Sequence, residues 1–429
     1  MRFAASRALV SILAALSTLS IARQGAATPA DVFGWGPRSQ AAAGSGATLD
    51  TGHEAAFTNP AELGRVEASR LSLGYHSAVF ALDVEGGSSA GPFPARAVTG
   101  ALLGMVAPLR FGKQRVGFAF SARSPSDLIV RTDVPFPEEP RFPLLVSRLS
   151  ALDLSLGVGA TLGEVVSLGV ALRTLASLAG GVDVVEDTDG RSRAAVQSEL
   201  TPVYAAIVGA SLKLGEVWRV AAVFRDELVA DFDVKVRASD LGALALPELN
   251  VAGVSQYNPR ELHIEISRAF AAWTVIAAVT HKRWSDFPGF LEATTACPPT
   301  RPGCAALPAE QVELYDTWVP RLAGSYGFSL TRRTRAEIRA GYAFEPTPMP
   351  VQDLSANRWD NSRHVLGIGY GIRLSSPLSL SIDSAYQVHV LSPRTHEKDA
   401  SVATDNAGYP SVTTGGTVQS LSLSLGVEF

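Results

Sequence analysis

The sequence predicts an all-β chain that closes as a transmembrane antiparallel β-barrel of 14 strands, with an N-terminal hatch plugging the lumen. Three observations predict it. Strand-period alternation recurs from about residue 69 to the end, the connections alternate between tight and long, and the last strand finishes on an aromatic residue, Phe429.

The export signal comes first. Arg2 and Arg7 open the chain, Ala8 to Leu19 is an apolar run too short to span as a helix, and Ala22, Ala26, Ala27 and Ala30 supply small residues for cleavage. A signal peptide over 1–27 is expected, cut between about 22 and 30, although a buried N-terminal helix would read similarly. No later stretch holds about 18 uninterrupted apolar residues, so helical spans are not expected.

The strands follow. Leu152, Leu154, Leu156, Val158, Ala160 and Leu162 alternate with Asp153, Ser155, Gly157, Gly159 and Thr161; Leu421, Leu423, Leu425, Val427 and Phe429 alternate with Ser422, Ser424, Gly426 and Glu428. A soluble sandwich gives the same pattern with its oily face inward, whereas a membrane barrel turns that face to lipid. Connections decide between them. Strands are expected near 69–83, 97–111, 115–130, 148–162, 164–178, 198–214, 217–234, 260–271, 273–284, 317–330, 334–346, 363–374, 378–391 and 417–429. Tight joins such as Gly215-Glu216 and Thr331-Arg332-Arg333 then alternate with long ones such as 235–259 and 285–316. Short turns on one rim and long loops on the other suit an outer-membrane barrel, and an even count puts both chain ends on the short-turn, periplasmic rim. The barrel is assigned 67–429. Tyr75, Trp218, Trp273, Trp318, Tyr342 and Tyr370 lie near strand ends, either as interfacial girdles or as ordinary strand aromatics.

Residues 28–66 do not read as a strand. They are Gly/Ala-rich and weakly helical, too short for a core of their own, and suited to folding back as the hatch. Phe33, Trp35, Phe57 and Leu63 are candidates for a hydrophobic ligand path, or simply for packing the plug against the wall. Asn59-Pro60 fixes a turn.

Several function classes are excluded or disfavoured. Charged residues make up 18% of the chain and the net charge is −4, with no basic excess, so nucleic acid is not an expected partner. None of the seven histidines sits in a nucleophile, metal or paired-carboxylate motif, and Gly367-Ile368-Gly369-Tyr370-Gly371 lies within a strand rather than at a phosphate-binding turn, so no enzyme, cofactor or metal site is expected. Cys297 and Cys304 are read as a small disulfide loop in an oxidising compartment, two free thiols being the alternative. A general porin or structural barrel, and a loop-borne adhesin, are the other readings of the same fold.

The sequence also resembles a known family, the FadL/TodX outer-membrane transporters for long-chain fatty acids and other hydrophobic compounds. Ala55-Ala56-Phe57-Thr58-Asn59-Pro60-Ala61 is similar to the family's hatch element. Val279-Thr280-His281-Lys282-Arg283-Trp284-Ser285-Asp286-Phe287 is similar to one of its strand ends. Arg339 to Pro350 leads into Asp360-Asn361-Ser362-Arg363-His364 in a similar way. The resemblance implies passive uptake of hydrophobic small molecules, a hatch with Asn59, Pro60 and Ala61 as its gating element, and lateral release through a kinked strand. Ser124-Pro125-Ser126 in the third strand is one candidate for that kink; a plain strand end is the other. The implied partners are the ligand, outer-membrane lipid and the barrel-assembly machinery that reads the terminal strand, and a monomer is expected.

Overall fold

A computed structural model describes residues 30–111, 114–126, 137–146, 152–186, 192–239, 248–296, 312–375 and 379–429. The proposed signal peptide and both cysteines lie outside these residues. Among them, eighteen strands form one sheet: β1 (Arg70–Glu85), β2 (Gly91–Phe93), β3 (Val98–Phe111), β4 (Gln114–Pro125), β5 (Asp153–Leu162), β6 (Val166–Glu186), β7 (Ser192–Leu214), β8 (Trp218–Arg225), β9 (Leu228–Ser239), β10 (Glu248–Asn258), β11 (Arg260–Phe270), β12 (Trp273–Arg283), β13 (Leu291–Ala296), β14 (Thr317–Thr331), β15 (Thr334–Glu345), β16 (Arg363–Ser375), β17 (Ser379–Glu397) and β18 (Ser411–Glu428). All but β2, β9, β10 and β13 are staves of one closed antiparallel barrel, which therefore has 14.

The first and last strands make the closing seam, from Arg70↔Glu428 to Glu85↔Thr413. Closure removes both sheet edges, which no strand in hydrocarbon tolerates. Arg70 and Glu428 form an ion pair across it. The alternation is inverted relative to a soluble sandwich: Leu421 is 49% exposed and Leu423 39%, whereas Ser422 and Ser424 are buried. The oily face meets lipid, and the small and polar face meets a filled interior. All six of the aromatics singled out above are exposed on the outward face; Trp218 and Trp273 sit at the tight-turn rim, and Trp318 at the other.

Two expectations are corrected. The third strand is not kinked: β4 keeps unbroken register with β3 and with β5, and it ends at Pro125. The bend lies instead in the stretch expected as one strand over 217–234. It breaks at Asp226-Glu227, two adjacent acids where an alternating apolar residue was expected. Beyond them β9 leaves the wall and crosses the inner side of the β6–β7 ribbon, where Leu228 and Ala230 bury against Leu175 and Ala205. It then joins β6 in parallel at Leu178↔Phe232. Its partner β10, and β13 beside that, occupy regions expected to be loops.

Candidate functional site

Residues 30–66 lie inside the barrel. They form short helices at Ala30–Phe33, Pro37–Ala41 and Ala55–Thr58 and a 3-10 turn at Pro60–Arg65. Such short helices are not stable alone, so their order comes from what surrounds them. Glu54 supplies part of it. Its carboxylate accepts from Ser39 N at 3.0 Å, Ser39 Oγ at 2.8 Å and Arg38 N at 3.2 Å, satisfying donors at a helix start that would otherwise be orphaned. Burial, with Asp50 nearby, pushes the Glu54 carboxyl up to about 7. Burial likewise takes His53 down to about 4.

The Asn-Pro-Ala turn is seated on a glycine row. Gly117 pairs with Gly159, Gly159 with Gly169, and Gly169 with Gly209, so four strands present four bare Cα positions side by side. A Cβ at Gly117 would collide with the Leu63 carbonyl, at Gly159 and Gly169 with the Pro60 carbonyl, and at Gly209 with Asn59 Oδ1. The row thus allows backbone to lie directly on backbone. Asn59 fixes the turn on it. Its Nδ2 donates to Ala47 O at 2.6 Å and to Ser211 Oγ at 2.8 Å, while Oδ1 accepts from Ala61 N at 3.1 Å. Arg173 adds a charge clamp, 2.5 Å from Asp153 on the wall and 2.8 Å from Asp31.

The opposite wall holds the segment by side chains over β11–β14 and by a second glycine pair, Gly341 facing Gly367 across β15–β16, where a Cβ would collide with the Ala42 backbone and the Gln40 carbonyl. Glu265 accepts from Gly46 N, Thr48 N and Thr48 Oγ1, each at 2.8 Å. Arg321 Nε donates to Ala43 O at 3.1 Å. Gln40 bonds to Ser420 at 2.7 Å and to Ser422.

Among the proposed path residues, Phe33, Trp35 and Leu63 are fully buried and Phe57 nearly so. Trp35 stacks on Phe57 at 5.1 Å, and the guanidinium groups of Arg173 and Arg225 cover the Phe57 ring. Phe33 lies between His76 and His389. Phe33, Trp35 and Phe57 border a cavity whose other wall is charged, with Glu261 3.0 Å from Arg225 and Glu345 2.6 Å from both Lys282 and Arg363. Leu63 does not reach it; it packs with Ala55, Ala56, Val106 and Ala119. Toward the long-loop rim are two apolar clusters. One joins Phe33 and Val32 to Phe142, Leu145 and Trp359; the other joins Tyr257, Trp284, Phe287, Phe290, Leu314 and Met349.

The geometry has counterparts. Residues 149–429 match the family described as Outer membrane protein transport protein (OMPP1/FadL/TodX). The chain belongs to this family. A Pseudomonas aeruginosa FadL homologue shares the fold at TM-score 0.59 and 13% identity, over 92% of this chain and 98% of that one. The P. putida toluene transporter TodX does so at TM-score 0.52 and 14% identity, over 93% and 99%. The CymD monoaromatic hydrocarbon channel does so at TM-score 0.52 and 17% identity, over 92% and 97%. No curated protein matches the sequence. Membership makes this FadL/TodX protein an outer-membrane β-barrel that transports hydrophobic compounds, not an enzyme. Of its histidines, His76, His263 and His389 are buried on the inner face of the wall.

Sequence reasoning missed the glycine row, Glu265 and Arg173. A signal for part of the row existed: counting back from the tight turn after Leu162 places Gly159 opposite Gly169. The matches across β4–β5 and the partners of Glu265 depend on long-range register that no local pattern carries.

Proposed function

We propose that the protein is a channel for passive uptake of hydrophobic compounds such as long-chain fatty acids, exported by residues 1–27 and plugged by residues 28–66 as a hatch, with residues 67–429 as the barrel. The observation that carries this reading is the interior itself. Residues 30–66 occupy the lumen, and the space beyond them is bordered by apolar and aromatic clusters that run from the long-loop rim to Phe33. An oily solute needs apolar contact along its path and gains nothing from an open water pore. Phe33, Trp35 and Phe57 line the inner end of that path, Leu63 packs the hatch, and Asn59, Pro60 and Ala61 hold it in place. The protein acts as a monomer, handed to the membrane by the assembly machinery that reads its Phe429 strand, with Cys297 and Cys304 bonded.

Deleting residues 31–64 tests the hatch: ion conductance in planar bilayers should rise to that of an open barrel, and an unchanged conductance sinks the idea. Mass spectrometry of lipids co-purifying with the detergent-solubilised protein tests the ligand class; acyl-chain compounds are expected, and their absence counts against fatty acids. The porin reading predicts high conductance in the intact protein.

A further inference from the structure

Below the Asn-Pro-Ala turn, on the glycine-row side, a cavity of about 430 Å3 opens at the tight-turn, periplasmic rim, where Gly163 and Glu164 border it. It ends under the turn. A Cβ at Gly64 would strike the backbone of Ala160 and Thr161, so turn and wall touch there. The cavity shares no lining residue with the one at Phe33 and Trp35 or with the one between Leu49 and Ile276. It is a blind pocket facing the periplasm.

Its charges are mixed. Arg65, Arg115, Lys213 and Arg219 line it together with Glu62 and Glu164. Lys213 and Arg219 stand directly opposite each other across β7–β8. Like charges so placed are unfavourable unless something anionic lies between them. Lys213 has Glu216 at 3.8 Å, but that carboxylate is 92% exposed and contributes little. Arg219 has no ion-pair partner among the described residues; it donates to the Thr48 carbonyl at 3.4 Å. Glu62 makes the complementary demand. Its Oε2 accepts from Arg65 at 2.7 Å, whereas Oε1 is buried and accepts no hydrogen bond. A buried carboxylate oxygen left bare costs stability until a donor reaches it. An anion alone would suit Lys213 and Arg219 and leave Glu62 bare. A cation alone would face four positive side chains.

We propose that this pocket binds a zwitterionic amino-acid head, with its carboxylate between Lys213 and Arg219 and its ammonium on Glu62 Oε1. The volume is within the range of small-molecule sites, and the arginine fork binds a carboxylate by two parallel hydrogen bonds. The pocket faces the compartment that holds the cell wall, and both cell-wall peptides and free amino acids carry such heads. This binding is separate from the uptake of hydrophobic compounds and does not depend on it.

The test is calorimetric titration of the detergent-solubilised, full-length barrel with three probes: diaminopimelate, pimelate, which lacks its ammonium groups, and cadaverine, which lacks its carboxylates. Diaminopimelate should bind at least about tenfold more tightly than either of the others. Arg219→Gln should weaken it about tenfold, and Glu62→Gln should bring it down to the affinity of pimelate. Heat-shifted mobility of each variant on a gel confirms a folded barrel. Pimelate or cadaverine binding as tightly as diaminopimelate, or no saturable binding of any of the three, overturns the site, as does a Glu62→Gln barrel that keeps the full preference. Given that preference, co-sedimentation with purified peptidoglycan, competed away by free diaminopimelate, assigns the head to cell-wall peptides; no co-sedimentation assigns it to free amino acids.

Discussion

On the β4–β7 side of the lumen, Asn59 to Gly64 rest on bare glycine backbone; on the β11–β14 side, Ala43 to Thr48 hang from the side chains of Glu265 and Arg321. The two contacts differ in what they allow. Backbone pressed on backbone has no rotamers to change, and even a methyl group there has nowhere to go. Side-chain tethers can swing. The barrel therefore has a fixed flank over β4–β7, repeated on a smaller scale where Gly341 and Gly367 seat Gln40 to Ala42, and an adjustable one over β11–β14, where a cavity lies between Leu49 and Ile276.

The largest expected effect would break the fixed flank. Gly169→Val drives a branched side chain into the Pro60 carbonyl and should cost about 3 kcal/mol or more of seating. Ion conductance should approach that of the 31–64 deletion; wild-type conductance would mean the row is not what holds the segment. Next comes Asp153→Ala, which leaves Arg173 buried with Asp31 as its remaining acid and should cost about 3 kcal/mol. Hydrogen exchange at residues 30–35 should quicken, and protection equal to wild type would remove the charge clamp from the account. Glu265→Gln acts on the adjustable flank, where weakened acceptors cost about 1–2 kcal/mol. Exchange at 43–48 should rise while 59–64 stays protected; a rise at both would show that the flanks move together.

The smallest effect is a pH dependence. Glu54 has a raised pKa, near 7, so the stability its proton contributes is complete below the ordinary carboxylate range and lost as pH rises through 7. His53 has a lowered pKa, near 4, so its contribution is complete above the ordinary histidine range and lost as pH falls through 4. The two oppose each other in between, which leaves a fall on each outer side. Between pH 6.5 and 7.5 the segment should loosen by no more than about 1 kcal/mol, read as exchange corrected for intrinsic rate. Glu54→Gln should abolish that slope; a slope that survives would place its origin elsewhere.

The barrel was legible because its signals are local. Alternation such as Leu421 to Phe429, and turns such as Gly215-Glu216, announce themselves within a dozen residues, and the 14 staves fall close to where they were expected. Long-range register is not local. The break at Asp226-Glu227 carried a visible sign, paired acids in an oily strand, but not its result, since β9's departure depends on where β6 offers a free edge. Of the lumen residues, Asn59 and Pro60 stood out by motif. Arg173 and Glu265 read as ordinary polar positions on the inner face until the wall was closed around them.

The seam between β1 and β18 has a bearing on assembly. The N-terminal segment is made before the first stave, and β4–β7 with their glycine row precede the last one. Gln40's bonds to Ser420 and Ser422 can form only when β18 arrives. The strand that closes the wall is therefore also the one that latches wall and contents together.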